Sequence, residues 1–230
     1  DCPHSRSLTF SKSRLKLNVF FEMGKFFLNL IVFINFSLMG KFIIPEIRDN
    51  YPLYTTLLKD SKAVFEEIID ISTPKKSNKN FLSRDNVGIK HITLTEEILF
   101  IADVKINDHK YFHFKLKCNS LCETPFFRYD SDGSSHRNYD DNIPLSEQLI
   151  TTPHFNCFNE DGIGIAYKTD QLKDDKKRAA LEDINLCMPH FCHESNMRLN
   201  DSEFPKISIS QGTLPLTLTK DDPNSGVDFI

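Results

Sequence analysis

Polar side chains that are able to bind and cleave a phosphodiester are concentrated between Arg128 and Asn156. Arg128 and Asp130 are two residues apart, so on a strand their side chains share one face. His136 lies in the polar segment that follows, and His154 and Asn156 lie further along. Two histidines beside an arginine fit RNA cleavage, because one imidazole removes the 2′-hydroxyl proton, the other protonates the leaving oxygen, and the guanidinium holds the phosphate.

This pattern predicts a role for each member of the cluster. Asp130 would orient a histidine or hold Arg128. The alternative is structural, because an Arg-x-Asp sequence on one strand face is often an ion pair and a histidine in a polar loop is often only exposed. We predict catalytic roles for His136, His154 and Asp130, and substrate-binding roles for Arg128, Arg137 and Asn156.

Cysteine and histidine residues offer a weaker alternative, a zinc site. Its ligands would come from Cys118 with Cys122 and from Cys187 with Cys192, near His190 and His193. The two-residue spacing of zinc knuckles is missing from both pairs, and Cys187 belongs to an apolar helical stripe in which a buried thiol is ordinary. No phosphate loop or nucleophile elbow is present, so the sequence predicts no metal and no cofactor.

Residues 90–170 resemble TumE-like toxins, the small toxic partners of bacterial toxin–antitoxin pairs. The resemblance rests on FRYDSDGSSHRN followed by TTPHFN, which is similar to the RYD…H…PHxH signature of that family and to bacterial proteins with RYDSDG, HRN, PHF and AYKT segments. Matched by position, it implicates Arg128, Asp130, His136 and His154. Asn156 stands where the second histidine of PHxH would be, and asparagine cannot shuttle a proton.

The resemblance implies a toxin-like component of a toxin–antitoxin or defence module that acts as a metal-independent ribonuclease. Its partners would be a cognate antitoxin protein and RNA, and no DNA-specific motif is present. A second class is also compatible with the residues: a binding protein without catalysis, such as an antitoxin, an immunity protein or a phage-defence accessory.

A series of predicted strands must position these residues. The run 98–106 is apolar enough for a central strand, and 109–116 pairs back on it as a hairpin with Phe112, Phe114 and Leu116 on one face. Shorter strands are predicted at 89–94, 124–130, 153–158 and 163–167, with an edge strand near Ile207 and Ile209 and a long polar loop at 131–150.

Helices are predicted on either side of the strand series. Leu57, Leu58, Val64 and Phe65 have helical spacing, which predicts an amphipathic helix over 54–71, ended by the break before Pro74. A second helix opens at 174–175 and carries an apolar stripe toward residue 188. The predicted fold is α+β, an antiparallel sheet flanked by an N-terminal and a C-terminal helix.

Charge and cysteine content narrow the class of protein. The net charge of −4 excludes a generic basic nucleic-acid coat, although a local RNA site is compatible with it. Beyond Cys2, five cysteines follow without a regular framework, which is typical of reduced thiols in a cytoplasmic protein.

The first 38 residues differ from the rest. They hold 7 of the 20 phenylalanines and have a net charge of +3, whereas residues 39–230 have a net charge of −7. Three interpretations stay open: upstream translation before a start at Met39, an export or membrane segment, or a genuine core element. A membrane association is expected only if this segment is genuine. The predicted layout is a leader at 1–38, one α+β domain at 39–219 and a loose tail at 220–230.

Overall fold

The computed structural model describes residues 43–140, 142–200 and 203–210. The predicted leader at 1–38 and the predicted tail at 220–230 lie outside these residues. None of the helices in the described ranges has the length and apolar character needed to cross a membrane.

The described chain is α+β, with most of its regular structure in strands. They are β1 Lys62–Val64, β2 Ile68–Ile71, β3 Thr73–Pro74, β4 Phe81–His91, β5 Ile98–Lys105, β6 Phe112–Cys118, β7 Phe127–Asp130, β8 His136–Arg137, β9 Leu149–Ile150, β10 His154–Phe158, β11 Gly164–Tyr167, β12 Met197–Leu199 and β13 Lys206–Ile209. The helices are α1 Pro45–Asp49, α2 Tyr51–Lys59, α3 Asp170–Lys173, α4 Asp175–Ala180 and α5 Ile184–Glu194.

One large sheet organises these elements. Within the described residues it has nine strands, in the order β11-β10-β7-β6-β5-β4-β1-β12, with β3 also pairing with β4. All of its pairs are antiparallel except that between β1 and β12. The α+β class with a mostly antiparallel sheet is therefore confirmed. Two small sheets, β2 with β13 and β8 with β9, lie outside the large one.

The hairpin of β5 and β6 forms the centre of the core. Phe112, Phe114 and Leu116 alternate along β6 and are fully buried, as predicted from the sequence. Phe191 of α5 lies on the same apolar face, with its ring centroid 5.3 Å from that of Phe114 and 5.5 Å from that of Phe127. One face of the sheet is thereby closed by aromatic packing, and the polar residues of the same strands are left on the other face.

The prediction of a helix over 54–71 is wrong beyond Lys59. The helix α2 ends there, and the chain continues as β1 and β2. Ile69 and Ile71 alternate with less buried neighbours, and β-branched side chains favour extended backbone where a neighbouring strand is available for pairing. β2 finds that neighbour in β13, the predicted edge strand.

The helix predicted from 174–175 is divided in two. Asp174 caps α4 by accepting from the backbone N–H groups of Lys176 and Lys177. Asp183 then caps α5 by accepting from the N–H groups of Asn185 and Leu186. A second N-cap after Leu181 starts a new helix instead of extending the first. The helical residues are thus spread over five short segments, and the predicted pair of flanking helices is not matched as such in the described chain.

The aromatic contact of α5 with the sheet gives a first prediction. Replacement Phe191→Ala should lower the free energy of unfolding by about 3–5 kcal/mol, because it removes a fully buried ring from between sheet and helix. Urea unfolding measures this. Leu186→Ala on the same helix is the control, since Leu186 is largely exposed and its loss should cost under about 1 kcal/mol. Equal losses in the two variants would contradict the packing described here.

Candidate functional site

A row of polar residues crosses the sheet on the face opposite the aromatic core. Asp103 of β5 pairs with His113 of β6, His113 pairs with Asp130 of β7, and Asp130 pairs with His154 of β10. Directly paired residues point to the same side of a sheet, so these four side chains form one continuous line. This line brings together two of the predicted catalytic residues, Asp130 and His154.

A second polar row runs beside the first. Lys115 of β6 pairs with Arg128 of β7, and Arg128 pairs with Asn156 of β10. The predicted sharing of one face by Arg128 and Asp130 is therefore present in the structure, and His154 and Asn156 lie on the same face. Alternation puts a cationic residue next to an imidazole on β6 (Lys115 and His113) and next to a carboxylate on β7 (Arg128 and Asp130).

The Asp130 carboxylate is the centre of the site. Its Oδ1 accepts from Nδ1 of His113 at 2.9 Å, and its Oδ2 accepts from Nε of Arg128 at 2.7 Å and from Nδ2 of Asn156 at 2.8 Å. Burial on its own would raise the pKa of Asp130. The hydrogen bond from His113 and the charge of Arg128 outweigh that effect, so the pKa lies below its usual value. Asp130 is thus held as a carboxylate by donors from three strands.

His154 lies at the bottom of the site and is almost fully buried. Its Nε2 is 3.8 Å from Oδ2 of Asp130, which is charge proximity and not a hydrogen bond. Burial lowers the pKa of His154, and the negative charge of Asp130 opposes that shift only in part. The imidazole is accordingly neutral at pH 7 and able to accept a proton.

His136 reaches the same place from the 131–150 segment. Its ring centroid is 6.4 Å from that of His154, with the ring planes 69° apart. Nε2 of His136 lies 3.1 Å from the carbonyl oxygen of Gly164, to which it donates. This hydrogen bond holds the ring against β11 and leaves Nδ1 as the nitrogen for proton transfer.

Side-chain bonds fix the segment that carries His136. Asn138 donates to the backbone oxygen of Ala166 at 2.7 Å and accepts from its N–H at 2.8 Å, so its amide pairs with β11 as a strand residue would. The predicted loop at 131–150 contains the short pair β8–β9. His136 is therefore positioned by a built element and not by an open loop.

These residues surround a cleft of about 520 Å³. His113, Lys75 and Lys115 line it in addition to the predicted residues Arg128, Asp130, His136 and His154, and all three were missed by the sequence reasoning. Alternation along β6 puts His113 and Lys115 on the face opposite Phe112 and Phe114, but only the strand register connects them with Asp130. Lys75 lies in the polar KKSNKN segment, where no sequence pattern indicates a functional residue.

Two of the predicted substrate-binding residues, Arg137 and Asn156, do not line the cleft. Arg137 is exposed and does not line the cleft: its Nε donates to Oε1 of Gln148 at 3.1 Å, and its guanidinium lies 5.0 Å from the ring centroid of Tyr139. Asn156 donates a hydrogen bond from its side-chain amide to Asp130 and does not line the cleft either. Asn156 is accordingly a positioning residue for the central carboxylate.

The four cysteines considered as zinc ligands, all of them among the described residues, are not arranged as a zinc site. Cys187 and Cys192 are buried in α5, and Cys122 donates its thiol to the backbone oxygen of Thr124 at 3.1 Å. No group of three or more histidine, cysteine, aspartate or glutamate side chains among the described residues is placed to hold a metal ion.

Comparisons with known proteins add no relative: no protein-family model matches this chain, and no curated protein and no solved structure matches it. The resemblance to TumE-like toxins stays a prediction that rests on its motif residues.

Asp130 carries a testable consequence for stability. Asp130→Asn should lower the free energy of unfolding at pH 7 by about 1–3 kcal/mol, because half-buried donors from three strands lose a charged acceptor. Since the folded-state pKa of Asp130 is depressed, its contribution is present above its usual pKa and is lost as the pH falls through the folded value. Urea unfolding should thus show a difference between wild type and variant that is smaller at pH 3 than at pH 7.

Asp161→Asn is the control, because Asp161 is exposed in the turn before β11. It should change stability by less than about 0.5 kcal/mol at either pH. A wild-type advantage over Asp130→Asn that persists undiminished at low pH would contradict the account of this carboxylate.

Proposed function

We propose that this chain cleaves RNA at the Asp130 cleft, with His154 as the general base and His136 as the general acid. The observation that supports it best is the convergence of two imidazoles, 6.4 Å apart by their centroids, beside the Arg128–Asp130 pair in one open cleft. Histidine pairs suit this chemistry because both protonation states of imidazole are accessible near neutral pH.

The reaction is an internal transesterification. The neutral imidazole of His154 takes the proton of a ribose 2′-hydroxyl, and the 2′-oxygen forms a bond to phosphorus. The bond from phosphorus to the 5′-oxygen of the next nucleotide breaks, and protonated His136 gives a proton from Nδ1 to that oxygen. The products are a 2′,3′-cyclic phosphate and a free 5′-hydroxyl, so protons and bonds balance without a co-reactant.

Arg128 supplies the charge for the phosphate. Its Nε is used by Asp130, and no other nitrogen of its guanidinium is hydrogen-bonded to a described residue. These nitrogens are left to bind the non-bridging oxygens, on which negative charge increases in the transition state. Asp130 fixes the orientation of Arg128, and Asn156 and His113 fix the orientation of Asp130.

The biological setting that we propose is a toxin-like component of a bacterial toxin–antitoxin or defence module, acting in the cytoplasm. It rests on the resemblance to TumE-like toxins and on the suitability of the cleft for RNA. A cognate antitoxin is then the expected protein partner, because an active ribonuclease must be restrained in the cell that makes it.

A non-catalytic binding protein is the alternative function. The net charge of −7 over residues 39–230 favours it, since an acidic surface repels nucleic acid outside a local cationic patch. The cleft would then bind a phosphorylated partner without turnover, and wild-type protein would leave RNA intact.

Histidine substitution tests the proposed activity. His136→Ala and His154→Gln should each reduce the cleavage rate of a labelled RNA by about 10²–10⁴-fold, because each removes a proton-transfer group. Gel analysis of purified protein measures this, with thermal unfolding to verify the fold. His193→Ala is the matched control, because His193 is exposed on α5, and it should cleave as the wild type does. Full activity in either cleft variant would refute the proposed mechanism.

The pH dependence of cleavage follows from the buried position of His154. As the base, His154 must be unprotonated, and its pKa lies below the usual 6.5. The rate should therefore stay high below pH 6.5 and fall only at more acidic pH. Asp130→Asn removes the negative charge that opposes the lowering of the His154 pKa. The fall in cleavage rate on the acidic side of the pH profile should therefore move to still lower pH. A limb that moves to higher pH in this variant would contradict the assignment of His154.

A further inference from the structure

We propose that Lys75 and Lys115 form a second phosphate subsite in the cleft, which takes the phosphate next to the scissile one. This inference rests on the proposed function, because it assigns the substrate of that same cleft: an oligonucleotide with at least two phosphates, and not a single phosphodiester. Phe81 would accompany the subsite as a stacking surface for a base.

A fully buried carboxylate builds this subsite. Oδ2 of Asp103 accepts from Nζ of Lys75 and from Nζ of Lys115, each at 2.5 Å, while its Oδ1 accepts from Oγ of Ser83 at 2.6 Å. Because both ammonium groups contact one oxygen, their nitrogens are no further apart than twice that distance. Two cations are thus held close together at the wall of the cleft before any ligand arrives.

The charge of this group is unbalanced. Two ammonium groups face one carboxylate, so an excess of one positive charge remains, whereas Arg128 is already matched by Asp130. Each ammonium has three donors, and Asp103 is the one acceptor that each contacts among the described residues. Burial lowers the pKa of Lys115, with Asp103 opposing, so a second anion would stabilise the charge of this lysine further.

The position of the pair fits a flanking phosphate. Lys115 is directly opposite Arg128 in the register of β6 and β7, one strand spacing of about 4.8 Å away. Both lysines line the same cleft as His136 and His154. A strand of RNA whose scissile phosphate lies at Arg128 would therefore bring its neighbouring phosphate toward Lys115 and Lys75.

Phe81 also lines the cleft, and its carbonyl oxygen accepts from the backbone N–H of Lys75 at 2.8 Å. Its ring is partly exposed, and its centroid is 5.8 Å from that of His113 with the ring planes 37° apart. An aromatic face beside a cationic pair is the usual composition of a single-stranded nucleic-acid groove, because bases stack while lysines hold the backbone.

Deoxydinucleotides test this subsite without any need for cleavage, because they lack the 2′-hydroxyl. The probes are a thymidine dinucleotide with a 5′-phosphate, one with a 3′-phosphate and one with neither, and calorimetry or amide chemical shifts measure their affinities. In the wild type, one of the terminal phosphates should increase affinity by about tenfold, as expected for a charge-assisted contact.

The variant is Lys75→Gln, which leaves Asp103 with Lys115 and Ser83 as partners. It should lose the phosphate-dependent gain and reduce the salt slope, log K against log salt, by about 0.7. Lys76→Gln is the matched control, because Lys76 is the exposed neighbour that does not line the cleft, and it should retain the gain. Equal affinities of the three probes for wild type, or equal losses in the two lysine variants, would overturn the subsite.

Failure of the proposed function can be distinguished from failure of the second subsite, because RNA cleavage and probe binding are measured separately. RNA that stays intact with wild-type protein would refute cleavage even where the phosphate-dependent binding of the deoxy probes is present. RNA cleavage together with probes of equal affinity would support the histidine mechanism and refute the second subsite.

Discussion

The site depends on one buried carboxylate whose negative charge must be satisfied from three strands. Asp130 accepts hydrogen bonds from His113, Arg128 and Asn156, one partner from each of β6, β7 and β10. A buried charge is costly unless it is paired and hydrogen-bonded, so the register of these strands and the charge of Asp130 constrain each other. Arg128 takes its orientation, and His154 part of its electrostatic environment, from that single group.

The division of the sheet into two faces explains how a stable core and a polar cleft coexist on the same strands. Phe112, Phe114 and Leu116 bury one face, while the residues between them, His113 and Lys115, supply the other. Asp103 repeats the arrangement of Asp130 on the next strand, with two lysines in place of an arginine and a histidine. Two buried carboxylates thus hold cationic side chains along one cleft, which is the feature that the proposed binding of a phosphate-bearing substrate would use.

The structure could be predicted from the sequence where short-range periodicity determines it. It could not be predicted where the pairing of distant strands determines it. Strict alternation on β6 predicted the core face, and the two-residue spacing of Arg128 and Asp130 predicted their common face. The helix expected over 54–71 failed because Val64 and Ile69 fit a helical stripe and a strand equally well, and the available partner strands decided for strands. Lys75 and Asp103 are 28 residues apart, and the folding of the sheet brings them into contact. A local sequence pattern cannot predict a contact of this kind.

The end groups of cleaved RNA test the central claim most directly. Purified protein is incubated with a labelled oligoribonucleotide, and the termini of the fragments are identified by mass spectrometry. Attack by the 2′-oxygen, with His154 and His136 as base and acid, predicts a 2′,3′-cyclic phosphate on one fragment and a 5′-hydroxyl on the other. Fragments with a 3′-hydroxyl and a 5′-phosphate, or RNA that is not cleaved at all, would contradict the account.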